Sequence, residues 1–221
     1  MKRVPIRELL DDDVGTVTEV EGSLQDLRFV NRWFGGIATG RALVEKVALA
    51  SDSKRLSILE VASGSSQVPE KVAAALRREN LELNVTLLDR SPSHLRLKTP
   101  SIAGDALALP LQDSSFDIVS CTLFAHHLSP SELIQFVTEG MRVCRKAVLI
   151  NDLIRSPVHL LLIYAGFPLY RSRLTRHDAP ASVRQAYTPR EMQEMLAQTP
   201  AKHIEISRHY LYRMGVIAWK S

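Results

Sequence analysis

The sequence contains only two cysteines, Cys121 and Cys144, and each stands in an apolar context without a C-x-x-C spacing. They form no disulfide framework or zinc-binding quartet, so we interpret them as buried thiols. No block of lysine and arginine appears, and the net charge is only +4. This modest charge argues against nucleic acid as a partner and suits a small anionic ligand.

The chain also lacks an apolar segment long enough to span a membrane. Its longest apolar run, near 159–169, is short and is interrupted by Gly166 and Pro168. The opening MKRVPIRELLDDD contains no apolar core of a signal peptide, so we expect a cytoplasmic protein. With 221 residues, 45% of them hydrophobic, the chain can bury one core, and we expect a single domain over 1–221.

Residues 51–152 alternate between strand-like and helix-like patterns. Strands are expected at 57–61, 84–88, 116–121 and 146–150, with a short one before Asp105. Helices are expected at 67–80, after Ser91-Pro92, and from a Ser129/Glu132 capping box to Val143. Strands separated by helices predict a parallel sheet with right-handed crossovers.

The flanking segments follow other patterns. Residues 1–50 are predicted to form a loosely ordered arm to residue 23 and then two lid helices, separated at Gly35-Gly36. Residues 153–187 are predicted to be a helical substrate cap. Residues 188–221 are predicted to form a helix, opened by a Thr188/Glu191 capping box, and an antiparallel hairpin of strands at 203–208 and 212–219.

Polar residues follow successive predicted strands, and in an open parallel sheet the ligand lies over those carboxyl ends. They are Glu60 with Gly64, then Asp89, Asp105, His126-His127 and Asp152. The small residues around Gly64 allow a ligand to approach the main chain. Asp89 suits ribose hydroxyls, and Asp105 can accept from a purine amine. A nucleoside-type ligand is therefore expected, and the single glycine argues against a dinucleotide.

Two strings, ILEVASGS from Ile58 and GDALALPLQDSSFDIV from Gly104, carry a family resemblance together with Asp89. Over residues 56–151 the chain resembles class I S-adenosylmethionine-dependent methyltransferases, with a core similar to the ubiquinone and menaquinone branch. The resemblance implies a Rossmann-like, seven-stranded, mostly parallel sheet with the last strand antiparallel and helices on both faces. The sequence departs from the family at Ala62 and Ser66, where glycine is usual.

The resemblance also implies S-adenosylmethionine as the cofactor and assigns its contacts by position. These are Glu60, Ala62, Ser63, Gly64, Asp89, Arg90, Gly104, Asp105, Ala106 and Thr122.

Methyl transfer to a hydroxyl requires a base, and histidine suits this work near neutral pH. The stretch His126-His127-Leu128-Ser129 resembles the His-Asp-Trp-Ser stretch of plant-type O-methyltransferases. By position His126 is the base, and His127 stands where that family has an aspartate. In the alternative interpretation one histidine packs in the core and the other caps a helix or faces solvent. No metal site is expected.

The cap is predicted to select a small-molecule acceptor that is anionic or phenolic. The candidate acceptor contacts are Arg32, Trp33, Asp152, Arg155, His177, Arg184 and Tyr187. Arginines pair well with carboxylates or phenolates, although scattered arginines also describe a solvated face. We expect O-methylation of a phenolic or polyketide-like hydroxyl. C-methylation of an activated, quinol-like ring, or cofactor binding without transfer, remain alternatives.

Overall fold

The computed structural model describes residues 1–10, 15–63, 67–91 and 99–221. Within these residues seven strands form one sheet in the order β3-β2-β1-β4-β5-β7-β6. The strands are β1 Arg55–Val61, β2 Glu82–Asp89, β3 Ser101–Ala103, β4 Phe116–Thr122, β5 Cys144–Leu153, β6 His203–His209 and β7 Arg213–Trp219. The helix predicted after Ser91 lies outside the described residues.

Strand direction follows the prediction. β1 pairs in parallel with β2 and β4. β3 pairs in parallel with β2, and β5 pairs in parallel with β4. β7 pairs antiparallel with both β5 and β6. This confirms the mostly parallel, Rossmann-like sheet with its last strand antiparallel. The carboxyl ends of β1, β2, β4 and β5 therefore lie along one edge.

Helices cover both faces of the sheet, because the sheet has apolar residues on both sides. The helices are α1 Val17–Trp33, α2 Gly36–Ala50, α3 Gln67–Arg77, α4 Pro130–Val143, α5 Pro157–Ala165, α6 Arg173–Gln185 and α7 Pro189–Leu196. One apolar cluster includes Phe136 of α4 and Met192 of α7, and a second includes Val44 of α2 and Val72 of α3. Among the described residues, no helix combines the length and apolar character needed to cross a membrane.

Helix boundaries follow local capping chemistry. The predicted capping boxes of α4 and α7 are both present, with Ser129 bonded to Glu132 and Thr188 bonded to Glu191. α1 begins at Val17, several residues before the predicted lid helix, because a third capping box joins Thr16 and Glu19. This capping box precedes the first strongly apolar stretch, so the spacing of apolar residues does not indicate where α1 begins.

The prediction of a loosely ordered arm over residues 1–23 is wrong for its described residues, 1–10 and 15–23. Residues 17–23 belong to α1, and residues 1–10 are bonded to α6. The backbone N–H groups of Leu9 and Leu10 donate to the carboxylate of Asp178 at 2.8 and 3.1 Å. These bonds are polar and long-range, so hydrophobic periodicity carries no signal for them. The described residues 1–10 are therefore held against α6.

Candidate functional site

The turn after β1 is sharp and uses small residues. Ala62 has a φ of +52°, and the N–H of Ser63 donates to the carbonyl of Leu88 at 3.2 Å. A left-handed φ disfavours large or branched side chains, which explains the small residues here. Gly64, the next predicted cofactor contact, lies outside the described residues. The start of the turn is therefore bonded to the end of β2.

Glu60 is buried behind this turn, with only 3% of its surface exposed. Burial raises the pKa of its carboxyl to about 7, and hydrogen bonds with Thr122 and Ser120 act in the opposite direction. A cavity of about 20 Å³ beside it is also lined by Gly40 and Asn151. That volume holds about one water molecule. Glu60 is thus a carboxyl that is only half ionised at neutral pH.

Asp89 and Asp105 lie at neighbouring strand ends. The N–H of Gly104 donates to the carbonyl of Asp89 at 3.0 Å, which joins the end of β2 to the residue after β3. The Asp89 carboxylate accepts from Ser91 N–H at 3.0 Å and is buried, whereas Asp105 is exposed and accepts from Leu107 N–H at 2.9 Å. Both carboxylates shape their own turns.

The remaining predicted cofactor contacts fit around these two carboxylates. Arg90 is exposed beside Asp89, and Ala106 is half-buried after Asp105. A Cβ on Gly104 would lie 2.9 Å from the Pro110 ring, so that position requires glycine.

Several buried polar atoms near this edge are without a protein partner among the described residues. They are Oγ of Ser63, Oε1 of Gln67, Oγ1 of Thr39 and Oδ1 of Asn151. Buried polar atoms in proteins are almost always hydrogen-bonded. The four atoms come from the β1 turn, α3, α2 and β5. This arrangement fits a ligand that brings its own donors and acceptors to the end of β1.

The lid helices are attached to the same edge through two amides. Nδ2 of Asn151 on β5 donates to the carbonyl of Gly36 at 2.8 Å. The buried guanidinium of Arg213 on β7 donates to Oδ1 of Asn31 at 2.8 Å. Burial lowers the pKa of Arg213 to about 10, while the charge of Asp152 opposes that shift. The junction of the two lid helices, Asn31 to Gly36, is therefore bonded to β5 and β7.

His126 lies in a single 3-10 turn after β4 and is almost fully buried. Its Nδ1 is 2.7 Å from Oδ1 of Asp152, and its backbone N–H donates to Oδ2 of the same carboxylate at 3.0 Å. β4 and β5 are adjacent in the sheet, which brings Asp152 directly beside the turn. Two bonds to one carboxylate fix both the backbone and the ring of His126.

Glu8 of the N-terminal arm faces the other nitrogen of His126. Its Oε1 is 3.5 Å from Nε2, close enough for an ion pair but too long for a good hydrogen bond. Ser182 and Gln185 of α6 donate to the same Glu8 oxygen at 2.6 and 2.7 Å. Glu8, His126 and His127 each present a ligand-type atom within 4.8 Å of the others.

The charge state of this cluster follows from its partners. Burial by itself lowers the pKa of His126, but the charges of Asp152 and Glu8, together with the hydrogen bond to Asp152, outweigh burial and raise that pKa to about 10. Burial likewise raises the pKa of Glu8 and Asp152, and His126 more than offsets it, so both end below their usual values. His126 is therefore cationic at neutral pH while Glu8 is in place.

Arg3 fixes the histidine turn from the outside. Its Nη2 donates to the carbonyls of His126 and Leu128 at 2.9 Å each, and its guanidinium lies 4.3 Å from the ring centroid of Tyr187. The Tyr187 hydroxyl donates to Leu128 at 2.7 Å. Arg3 and Glu8 were not predicted from the sequence. They stand far along the chain from their partners, and no local motif marks them.

The structure brings some predicted acceptor contacts to this cluster and leaves others at the surface. Asp152 and Tyr187 lie beside the histidine turn. Buried Arg155 bonds to Met1, Ala186 and Glu191, and these bonds use three of its five N–H donors.

The other four predicted acceptor contacts bond to close neighbours. Exposed Arg32 stacks 5.2 Å from the centroid of exposed Trp33. Exposed His177 pairs with Asp178 at 2.8 Å, and half-buried Arg184 donates to the Tyr164 hydroxyl at 2.9 Å.

A cavity of about 450 Å³ opens at the same edge of the sheet, beyond β5. It is bounded by the starts of α5 and α7 and by the turn between β6 and β7, with Arg155, Thr188, Arg208 and Tyr212 among its lining residues. The volume lies within the range of small-molecule pockets. Arg155 connects this cavity to the histidine turn, because its backbone N–H donates to the carbonyl of Tyr187 at 3.2 Å.

Comparisons with known proteins point to one family. Residues 59–150 match the family model described as a methyltransferase domain. No curated protein matches the sequence.

Solved structures share the fold at low identity. The plantazolicin methyltransferase BpumL, solved with a triazolic desmethylPZN analog and SAH, is 15% identical with a TM-score of 0.65, covering 98% of this chain and 100% of its own. A SAM-dependent methyltransferase from Aquifex aeolicus is 16% identical with a TM-score of 0.53, covering 80% of this chain and 89% of its own. The citrinin polyketide synthase CMeT domain is 14% identical with a TM-score of 0.55, covering 76% of this chain, which spans 47% of that structure.

The matched segment, residues 59–150, runs from β1 through β5 and includes Glu60, Asp89, Asp105 and the histidine turn. The order and direction of the strands agree with the same family. Residues 59–150 therefore form a methyltransferase domain, and the sheet that contains them has the Rossmann-like methyltransferase fold.

Proposed function

We propose that this enzyme methylates an oxygen of a small phenolic or polyketide-like molecule, with His126 as the general base. The observation that carries the proposal is the buried pair of His126 and Asp152, 2.7 Å apart, at the carboxyl ends of β4 and β5. A base oriented by a carboxylate next to a cofactor turn suits deprotonation of a hydroxyl. His127, whose ring centroid is 4.2 Å from that of His126, is proposed as the second catalytic residue.

The cofactor contacts remain those assigned by the family pattern. Ala62, Ser63 and Gly64 would border the methionine part, with Glu60 and Thr122 behind them. Asp89 and Arg90 would take the ribose side, and Gly104, Asp105 and Ala106 the adenine side. When bound, S-adenosylmethionine supplies a methyl group on a positively charged sulfur. The unpartnered oxygens of Ser63 and Asn151 support a polar ligand at this position.

His126 must lose its own proton before it can act as a base. With Asp152 and Glu8 both beside it, its pKa is about 10, so it is protonated at neutral pH. Withdrawal of Glu8 removes one of the two carboxylates and lets burial lower the pKa. Nε2 can then accept the hydroxyl proton of the acceptor, while Asp152 stabilises the imidazolium at Nδ1. We propose that the entering acceptor displaces Glu8.

The acceptor is proposed to be small. The cavity of about 450 Å³ beyond β5 suits a ring system of modest size. Asp152, Arg155 and Tyr187 are proposed as its inner contacts, and Arg32, Trp33, His177 and Arg184 as contacts at the rim. The similarity to BpumL, solved with a triazolic desmethylPZN analog, and to a domain of the citrinin polyketide synthase supports a small-molecule acceptor.

Calorimetric titration with S-adenosylmethionine and its demethylated product tests the first half of the proposal. The second half is tested by transfer of labelled methyl groups to a panel of phenols and quinols, with the products identified by mass spectrometry and NMR. Methyl ethers support the proposal. Methylated ring carbons would favour the C-methyltransferase alternative, and cofactor binding with no transfer to any acceptor would favour a binding protein.

The compact group of Glu8, His126 and His127 raises one competing mechanism for the same reaction. A divalent cation bound by these atoms would activate the hydroxyl in place of a proton acceptor. Dialysis against EDTA distinguishes the two. Unchanged turnover supports the histidine base, whereas a loss that Zn²⁺ restores would replace it with a metal centre.

A further inference from the structure

α5 carries its apolar stripe on the outside of the molecule. Val158, Leu161, Leu162 and Ala165 recur at the i, i+3, i+4, i+7 spacing that ordinarily faces a core. All four are exposed, with 52% of Val158 and 67% of Leu161 in contact with solvent. In this nine-residue helix only His159 is buried. Tyr164 and Leu169, also exposed, extend the surface. We name the set Val158, Leu161, Leu162, Tyr164 and Leu169 the α5 patch.

The α5 patch is bordered by arginine. Residues 154–187 contain five arginines against one aspartate, and of these Arg155 and Arg173 are paired with Glu191 and Glu19. Arg184 donates to the hydroxyl of Tyr164 at 2.9 Å, which places its charge at the edge of the patch. Arg176 donates to the carbonyl of Tyr170, and Arg171 to the side-chain oxygen of Gln25. Among the residues that the structure describes, these three arginines donate to neutral oxygens, which leaves their charges for an anion.

We propose that the α5 patch binds the surface of an anionic phospholipid membrane. Exposed apolar side chains with an aromatic residue and a border of arginine are the features that insert into the interface and pair with lipid phosphates. α5 is about 14 Å long at 1.5 Å per residue, so it lies in the interface and does not span it. Charge complementarity favours this surface over a second copy of the chain, because two such patches would bring two arginine borders together.

Co-sedimentation with vesicles tests the proposal without reference to methyl transfer. We expect the full chain to bind vesicles of phosphatidylcholine mixed with phosphatidylglycerol, and to bind pure phosphatidylcholine at least tenfold more weakly. The double variant Leu161→Ser/Leu162→Ser should lose binding, and Arg171→Gln and Arg176→Gln should each weaken it about fivefold. Leu49→Ser is the matched control, because Leu49 is 84% exposed on α2, outside the patch.

Three results would overturn the proposal. The first is no binding to the anionic vesicles, and the second is equal binding to both vesicle types. The third is a dimer of the parent chain in light scattering that becomes a monomer in Leu161→Ser/Leu162→Ser, which would assign the α5 patch to a second copy. Circular dichroism of each variant checks that the exposed substitutions leave the fold intact. Failure here leaves the proposed methyl transfer untouched, since none of these variants changes a proposed site residue.

Discussion

The part of the site proposed for the cofactor, at the ends of β1 to β3, and the part proposed for the acceptor, at the histidine turn, are built in different ways. We call them the cofactor half and the acceptor half. At the ends of β2 and β3, Asp89 bonds to Ser91 and Asp105 to Leu107, each two residues away. At the histidine turn, Arg3 bonds to His126 across 123 positions and Glu8 bonds to Gln185 across 177. A site whose contacts join residues close in sequence can be predicted from that short segment. A site assembled from remote segments exists only after folding.

Substitution of His126 should give the largest difference between an effect on turnover and an effect on cofactor affinity. We expect His126→Ala to lower turnover by about 10²–10⁴-fold, because the proposed general base is lost. The affinity for S-adenosylmethionine should change by less than about twofold, since affinity depends on the other half of the site. Single-turnover rates and calorimetry measure the two quantities.

Two companion variants keep this result interpretable. His126→Gln retains a hydrogen-bonding group for Asp152, so it tests the base even if the alanine variant folds poorly. His203→Ala removes an exposed histidine on β6 and should leave turnover unchanged. Full turnover in both His126 variants would remove the base from the mechanism and favour a carbon acceptor.

The same comparison explains how much could be predicted from the sequence. The alternation of strands and helices, the C-terminal hairpin and two capping boxes were predicted because each depends on a local pattern, and the seven-stranded sheet with its antiparallel last strand followed from the family resemblance. Asp89, Asp105 and His126 were predicted as site residues because all lie at strand ends in a known motif. Glu8 and Arg3 were missed, since their contacts cross more than 100 residues and the arm has no apolar period. The protonated state of His126 also required the folded partners.

The pH dependence of the free energy of unfolding tests whether Glu60, in the cofactor half, has a raised pKa. Its folded pKa of about 7 lies above the unfolded value of 4.5, so its stabilising effect is present below pH 4.5 and is lost as pH rises through 7. Glu60→Gln cannot ionise. The variant should therefore gain about 3 kcal/mol over the parent between pH 4 and pH 8, measured by urea unfolding. Glu194→Gln, an exposed control on α7, should show no such trend. Parallel pH curves for Glu60→Gln and the parent would contradict the raised pKa.

Substitutions of Asp89 and Asp105 test whether a buried carboxylate contributes more to cofactor affinity than an exposed one. Charge-assisted hydrogen bonds to a buried carboxylate contribute about 1.5–3 kcal/mol, so Asp89→Ala should weaken cofactor binding about 10- to 100-fold. Asp105 is exposed, and Asp105→Ala should weaken it only about two- to fivefold. Calorimetric titration of both variants measures this ratio. Equal losses would show that the exposed carboxylate contributes as much as the buried one.

Glu8 tests whether the arm sets the charge of the acceptor half. The base must be unprotonated, so kcat/KM of the parent should rise with pH through the free-enzyme pKa of His126, about 10. The groups that face His126 are Asp152 on β5, Glu8 on the arm and the neighbouring His127. Glu8→Gln removes one carboxylate and keeps the contact with α6. The rise should move to lower pH by about one to three units, and turnover at neutral pH should increase.

The control for this shift is Glu21→Gln, which changes an exposed carboxylate on α1. It should leave the pH profile of the parent unchanged. The stability of Glu8→Gln should fall at neutral pH and approach that of the parent above pH 10, where His126 is neutral in both proteins. An unmoved profile in Glu8→Gln would mean that the 3.5 Å contact does not govern the base, and that Asp152 alone sets its charge.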